Sequence, residues 1–262
     1  MDNRTWIGFV SGLVAVSAAA GIAVSCMDQP PTKCQTGRGV FAAKYRAVSE
    51  GDGGCLLKGE PIGIQPYNPA NADNTAPDIE RSSVAIRSTQ TGQALTNRPP
   101  DLADGHHPYA LGNFATADPG PDDFCDVPSF EPSIQELEGK PEGDAGPDGA
   151  PGTPAVPAVS LKYEWKNVRF YVTAAQAGVQ MIGDLTYTKN GCQAEYKVTA
   201  LYPSTSCASD NDSGPKVPDQ EKCLPPDLDK GRRGSAINSD VDTVCDPDLL
   251  LCVLARDPPS NH

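Results

Sequence analysis

The alternation of apolar and polar residues is clearest between residues 192 and 202. Apolar side chains occupy every second position, and polar or charged ones come between them as far as Thr199. A period of two places successive side chains on opposite faces of a strand, so this segment is predicted to be a half-buried β-strand. The preceding dipeptide Asn190-Gly191 indicates a two-residue hairpin turn, because a type I′ turn needs positive φ at both central residues.

A two-residue turn also fixes the register of the strands that flank it. The register places apolar residues opposite one another on one face, in the pairs Tyr187–Ala194, Leu185–Tyr196 and Met181–Ala200. On the other face Asp184 is predicted to lie opposite Lys197, which is a favourable cross-strand pair. Both strands therefore agree on which face is buried.

A further strand is predicted just before this hairpin, over residues 160–173. Its apolar residues change from odd to even positions at Lys166-Asn167, which indicates a β-bulge. Residues 160–203 then form a three-stranded meander that contains five of the eight tyrosines. We expect this meander to be the core of the fold. Trp165 shares the parity of its apolar neighbours, which favours a core position over a sugar-binding platform.

The amino-terminal part contains shorter strand candidates that are separated by turn-rich clusters. These candidates are residues 39–48, 61–67, 82–89 and 109–116. The intervening clusters of Gly, Pro, Asn and Asp cover residues 49–54, 68–78 and 117–126. Near the carboxyl end, residues 249–255 follow a predicted turn and read as a buried strand. Short strands of this kind are typical of an all-β sandwich or barrel, so the chain is predicted to be mainly β with an antiparallel, sandwich-like fold.

The segment between the two β-rich parts has a different composition. Residues 139–158 contain ten Gly or Pro in twenty positions, including four consecutive Gly-X-Y triplets. Four triplets are too few to hold a collagen triple helix, so an extended loop or linker is the favoured interpretation. The predicted organisation is a β-rich first half at 34–130, a Gly/Pro-rich loop or linker at 131–158 and a β-rich second half at 159–262, with both halves in one domain.

Charge and composition narrow the classes of partner. The 262 residues carry a formal net charge of −13. Nucleic-acid affinity depends on neutralising phosphates with Lys and Arg, so a nucleic-acid partner is not expected. Gly and Pro together contribute 51 residues, which implies long loops around the core.

The amino terminus has the layout of a secretory signal. Arg4 precedes an uncharged, apolar stretch at residues 6–24, and small residues lead into Cys26. The tetrapeptide Ala23-Val24-Ser25-Cys26 resembles the lipobox of bacterial lipoproteins, although Ala23 stands where Leu is preferred. The resemblance implies a signal peptide at 1–25, lipid attachment to the Cys26 sulfur and a lipid-anchored tether at 26–33.

Two other fates of this segment stay open. One is ordinary signal-peptidase cleavage near residues 18–20. The other is an uncleaved anchor, because nineteen uncharged residues fall within the spanning range of about 17–25. All three interpretations place residues 34–262 outside the cytoplasm, in the periplasm or on the cell surface.

The number of cysteines supports the lipid-anchor interpretation. Lipidation of Cys26 leaves an even set for disulfides in an oxidising compartment: Cys34, Cys55, Cys125, Cys192, Cys207, Cys223, Cys245 and Cys252. Zinc is not indicated, because no two cysteines have C-x₂-C spacing. A Cys34–Cys55 pair is not expected, because a hairpin of residues 39–48 and 55–64 would hold them far beyond the roughly 7 Å Cα limit.

The sequence contains few candidate metal-binding or catalytic residues. Asp210, Asp212 and Glu221 partly match a calcium-binding loop, but Pro215 stands where such a loop needs glycine. Structural calcium is therefore a weak prediction, and no other cofactor is expected. His106 and His107 lie in a predicted loop near acidic residues, without a third ligand at a suitable spacing.

Two segments resemble a group of predicted bacterial envelope lipoproteins that have no assigned activity. They are YKVTALYPSTSC at 196–207 and CDPDLLLCVLA at 245–255. Our first hypothesis is a non-catalytic, lipid-tethered binding or structural module with a protein or glycan partner. The alternatives are an envelope hydrolase with an acidic site and a passive structural component of the outer membrane.

Overall fold

Nine strands of the described chain form one antiparallel sheet. They are β1 (Gly39–Ser49), β2 (Gly59–Tyr67), β3 (Ser83–Ser88), β4 (Ala110–Asn113), β5 (Phe124–Glu131), β6 (Ser133–Leu137), β7 (Val159–Val172), β8 (Ala177–Lys189) and β9 (Cys192–Leu201). A short helix, α1 (Thr89–Ala94), follows β3. The computed structural model describes residues 32–49, 55–96, 98–143, 152, 154–211 and 214–262. The predicted signal peptide and Cys26 lie outside these ranges.

The sheet closes on itself. Its strand order is β5-β4-β3-β2-β1-β9-β8-β7-β6, and β5 also pairs with β7. Strands from both β-rich halves therefore share one closed sheet, in which β1 of the first half pairs with β9 of the second. The prediction of a mainly β, antiparallel fold is confirmed. The opposing faces of the interior belong to one continuous sheet.

The predicted hairpin and meander are confirmed. β8 and β9 pair with the expected register, in which Tyr187, Leu185 and Met181 lie opposite Ala194, Tyr196 and Ala200. All six of these side chains are buried. Asn190 and Gly191 both have positive φ, as a type I′ turn requires. Asp184 forms the predicted ion pair with Lys197 on the outer face.

The predicted bulge in β7 is also confirmed. The pairing of β7 with β8 shifts register between Lys166 and Arg169, and Asn167 has a φ of 50°. The extra residue lets apolar side chains on both sides of the bulge face the same interior. These buried residues are Leu161, Tyr163, Trp165, Val168, Phe170 and Val172.

The interior of the closed sheet is filled by large side chains. Trp165 is 1% exposed, which confirms its predicted core position. The other largest buried side chains are aromatic: Tyr163, Tyr187, Tyr196, Phe41 and Phe170. Because aromatic residues bury more apolar area than other types, they contribute most to the stability of this core.

Two strands lie where the sequence indicated turns or a loop. β5 begins within the cluster at 117–126, and β6 lies within the predicted loop at 131–158. The inward positions of β6 include Ser133 and Gln135, so the strand lacks an apolar alternation. Gln135 is fully buried and exchanges hydrogen bonds with the backbone of Asp101, which replaces apolar packing at this position.

After β9, residues 203–262 form what we call the carboxyl-terminal region. It contains two small hairpins, β10 (Ala208–Asn211) with β11 (Gly214–Pro218) and β12 (Thr243–Asp246) with β13 (Leu251–Leu254). The strand predicted at 249–255 is thus present as β13. No helix within the described part of the chain is long and apolar enough to cross a membrane.

Candidate functional site

All eight cysteines that follow Cys26 are joined in disulfides. The pairs are Cys34–Cys125, Cys55–Cys192, Cys207–Cys245 and Cys223–Cys252. As expected, Cys34 and Cys55 are not partners. The sulfur atoms of Cys207, Cys223 and Cys252 lie within 4.8 Å of one another, but each belongs to a disulfide and is no thiolate ligand.

The candidate calcium ligands are not brought together in the part of the chain that the structure describes. The Asp210 carboxylate is almost fully exposed and lies 3.9 Å from the Lys216 ammonium. Glu221 lies in a 3₁₀ turn and pairs with Arg232 at 2.5 Å. Asp212 lies outside the described residues. Calcium binding here stays a prediction.

The two adjacent histidines have different partners. His106 Nδ1 lies 2.5 Å from the Asp101 carboxylate. Hydrogen bonds from the Ala103 amide and then from His106 lower the pKa of Asp101. The His107 ring instead stacks on Tyr109, with centroids 5.6 Å apart and planes 18° from parallel. The pair therefore orders its loop and one exposed tyrosine.

One carboxylate is buried inside the closed sheet. Glu60, at the start of β2, is 6% exposed. Its Oε1 accepts hydrogen bonds from the Tyr45 and Tyr163 hydroxyls at 3.1 and 2.9 Å. Its Oε2 accepts one from the Gln90 amide of α1 at 2.9 Å. Three donors from three elements thus converge on one side chain.

Burial determines the electrostatics of this carboxylate. It raises the pKa of Glu60 above the ordinary 4.5, and the hydrogen bonds from Gln90, Tyr163 and Tyr45 oppose that rise. Burial and the nearby Glu60 charge also raise the pKa of both tyrosines. Because Glu60 is buried and accepts hydrogen bonds at both carboxylate oxygens, it fastens α1 to the strands.

An open groove lies on the outer face of β1, β2 and β3. Alternation along β2 buries Ile62 and Ile64 and turns Gly63, Gln65 and Tyr67 outward. The cavity has a volume of about 420 Å³. We call it the arginine–tyrosine groove, after its lining residues Arg38, Tyr67, Arg87 and Tyr109. Its floor is made of small residues, because cross-strand pairing places Gly63 beside Arg87 and Ala85 beside Gln65.

The groove is positively charged in an acidic protein. Its lining contains two arginines and no acidic residue, whereas the whole chain has 34 Asp and Glu against 21 Lys and Arg. All four of the residues that name it are exposed. Such a surface can pair with carboxylate or phosphate groups and can stack planar or ring-shaped ligands.

Sequence reasoning did not identify these residues. Strand periodicity in PIGIQPY could have predicted that Gly63, Gln65 and Tyr67 share the outward face. Their neighbour Arg38 immediately precedes β1, Arg87 lies in β3, and Tyr109 precedes β4, so the groove exists only after these strands pair. The local pattern contains no signal for that pairing.

Comparison with known proteins gives one family. The family model described as MlpA matches residues 39–203, from the start of β1 to just beyond the end of β9. A Myxococcus xanthus protein described as "Putative lipoprotein MlpA" is 28% identical over 265 residues, which cover 95% of this chain and 96% of the relative. No solved structure matches the chain. Since the family model covers the whole closed sheet, the chain belongs to the MlpA family.

Proposed function

We propose that this protein is a lipid-anchored envelope protein that acts as a non-catalytic binding module. The anchor is the Cys26 sulfur, and the bound partner occupies the arginine–tyrosine groove. The protein then faces the periplasm or the cell surface. The observation that carries the proposal is this groove, where two arginines and two tyrosines are exposed above a floor of small residues.

The anchoring part rests on three observations. The tetrapeptide that ends at Cys26 resembles a lipobox, and the Myxococcus xanthus relative, which aligns over nearly its whole length, is described as a "Putative lipoprotein". The eight cysteines after Cys26 all form disulfides, which suits an oxidising compartment. Lipidation of Cys26 accounts for the ninth cysteine.

Two other functions remain as alternatives, and each needs a feature that the proposal does not. A hydrolase needs carboxylates that converge in an accessible pocket, with at least one raised pKa. Glu60 has the raised pKa, but it is enclosed and its hydrogen-bond partners are two phenols and a backbone amide. A passive structural component needs no groove at all.

The binding role is tested with cell envelopes from a strain that lacks the protein. The detergent-extracted full chain should bind these envelopes, and the double variant R38A/R87A should bind at least tenfold more weakly, because charge-assisted hydrogen bonds are lost. R46A is the matched control, since Arg46 pairs with Asp257 outside the groove. Equal binding by all three proteins would favour the passive component.

The anchor is tested by mass spectrometry of the mature amino terminus. We expect the chain to begin at Cys26 with a diacylglyceryl group, and we expect Cys26→Ala to leave the membrane fraction or to retain residues 1–25. Met27→Ala is the control and should be processed normally. An unmodified terminus at another residue would contradict the anchor and leave the binding role intact.

A further inference from the structure

We propose that the arginine–tyrosine groove binds an anionic glycan, a polysaccharide whose sugar units carry carboxylates. Its sugar rings would stack on Tyr67 and Tyr109, and its carboxylates would pair with Arg38 and Arg87. This inference rests on the proposed binding role and names the chemical class of the partner.

The floor of the groove leaves room for a chain of rings. Gly63 lines it from β2, the strand between β1 and β3, and a Cβ added there would meet only the Arg87 carbonyl oxygen within 4 Å, at 3.8 Å. Ala85, on the neighbouring strand, adds a single methyl group to the floor. Small residues on a sheet face thus leave a wide, shallow depression. Such a shape accommodates an extended polymer better than it encloses a compact molecule.

The two tyrosines expose aromatic surface at the groove. Tyr67 is 51% exposed and Tyr109 is 39% exposed. The Tyr109 ring is backed by His107, which holds it in place by stacking. Neither hydroxyl makes a hydrogen bond to another described residue, so both are available to ligand hydroxyl groups. An aromatic face beside a free phenol suits a sugar, which has apolar ring faces and polar edges.

The two arginines give the groove its preference for anions. Among the arginines that the structure describes, only Arg38, Arg87 and Arg233 have side chains without a hydrogen bond or an ion pair. Two of these three line this groove. A guanidinium with all donors free can bind a carboxylate through two parallel hydrogen bonds. On a chain with a net charge of −13, this cluster marks where an anion can approach.

The shape of the groove favours a glycan over an acidic protein. Stable protein interfaces bury about 800 Å² on each partner and centre on apolar anchors in closed pockets. Among the aliphatic side chains that line this groove, Val40 is the exposed one. The other exposed side chains are polar, charged or phenolic. A hydrated polysaccharide needs only stacking and hydrogen bonds, which this surface offers.

Binding is measured with the detergent-extracted full chain and four polymers. Alginate and polygalacturonate supply sugar rings with carboxylates, dextran supplies neutral sugars, and poly-L-glutamate supplies carboxylates without sugars. We expect binding to the two uronate polymers, weakened by salt, and little binding to the other two. R38A/R87A should weaken uronate binding at least tenfold. Gly63→Leu should do the same by filling the floor, because Gly63 does not have a positive φ and the new side chain points to solvent.

Controls separate this inference from the proposed function. R46A and R81A remove arginines that are paired with Asp257 and Asp78 elsewhere, so they should bind uronates like the wild type. Poly-L-glutamate binding as strong as alginate binding would identify an acidic protein partner and overturn the glycan. If the protein bound no uronate polymer but still bound envelopes through the groove, the glycan proposal would be wrong and the binding role would stand. If the groove variants bound both uronates and envelopes like the wild type, the glycan proposal and the binding role would both be wrong.

Discussion

The closed sheet and the carboxyl-terminal region are stabilised in different ways. The closed sheet has a large interior filled with aromatic and aliphatic side chains, among them Trp165. The core cluster of the carboxyl-terminal region combines Leu201, at the end of β9, with six buried residues of that region, and three of these six are cysteines: Cys207, Cys223, Ile237, Val241, Cys252 and Leu254. The family model ends at residue 203, at the boundary between the two.

The disulfides follow the same division. In the closed sheet they join residues that are far apart in sequence, with separations of 91 for Cys34–Cys125 and 137 for Cys55–Cys192. In the carboxyl-terminal region the separations are 38 and 29. A segment too small to bury a sufficient core needs covalent links to stay ordered, whereas a large core does not. We therefore infer that the closed sheet is the stable scaffold and that the carboxyl-terminal region depends on its disulfides.

The largest expected effect comes from removing both disulfides of the carboxyl-terminal region. The chain-entropy model gives about 3.5–4 kcal/mol for each loop of this size, which is more than so small a core is expected to replace. The variant with Cys207, Cys223, Cys245 and Cys252 changed to Ala should be cut by trypsin at Lys216, Lys230 or Arg233. The strands of the closed sheet should stay intact on the gel.

A matched variant removes one disulfide of the closed sheet. Cys34→Ala with Cys125→Ala opens a larger loop, so its free energy of unfolding should fall by about 4–5 kcal/mol. The sheet should nevertheless resist trypsin, because its core is intact. If this pair exposed the sheet to trypsin while the four-cysteine variant stayed resistant, the comparison between the two regions would be wrong.

A smaller expected effect is the pH dependence of stability, which differs between the two regions because each contains one buried acidic side chain with a shifted pKa. Glu60 has a raised pKa, so its contribution to stability is fully present below about pH 4.5 and is lost as the pH rises through its folded pKa. Burial alone would raise the pKa of Asp246 too. Hydrogen bonds from Lys44, 2.8 Å away, and from the Leu249 and Asp248 amides outweigh it and lower that pKa.

The contribution of Asp246 to stability therefore changes with pH in the opposite direction. Its contribution is present above its ordinary pKa of 3.8 and is lost as the pH falls through the lower folded value. We expect Glu60→Gln to cost about 1–2 kcal/mol, and more at pH 4 than at pH 7. Asp246→Asn should cost less at pH 3 than at pH 7. Urea unfolding across this pH range measures both, and the same pH trend in both variants would contradict the assignment.

The strands of the meander could be predicted because their signals are local. The Asn190-Gly191 turn fixes a register, and the alternation on both sides of it agrees with that register. The bulge at Asn167 was readable from a change of parity within one strand. These features depend on neighbouring residues, which a sequence displays directly.

The candidate site could not be predicted in the same way, because it depends on pairing between distant segments. No local pattern marks Glu60 as a buried carboxylate, because its partners Tyr163 and Gln90 lie far from it in the sequence. The inward face of β6 holds Gln135, whose polar side chain is satisfied by the Asp101 backbone. The closure of β5 on β7 likewise has no local signature. The same applies to the groove, because its lining residues come from segments that are distant in the sequence.

The central claim is that the closed sheet is a self-sufficient scaffold that carries the binding groove. Amide hydrogen exchange of the four-cysteine variant, followed by mass spectrometry, tests it most directly. We predict that amides of β10 to β13 lose their protection, that amides of β1, β2 and β7 to β9 exchange as slowly as in the wild type, and that Arg38-dependent binding persists. Simultaneous loss of protection in both regions would contradict the claim.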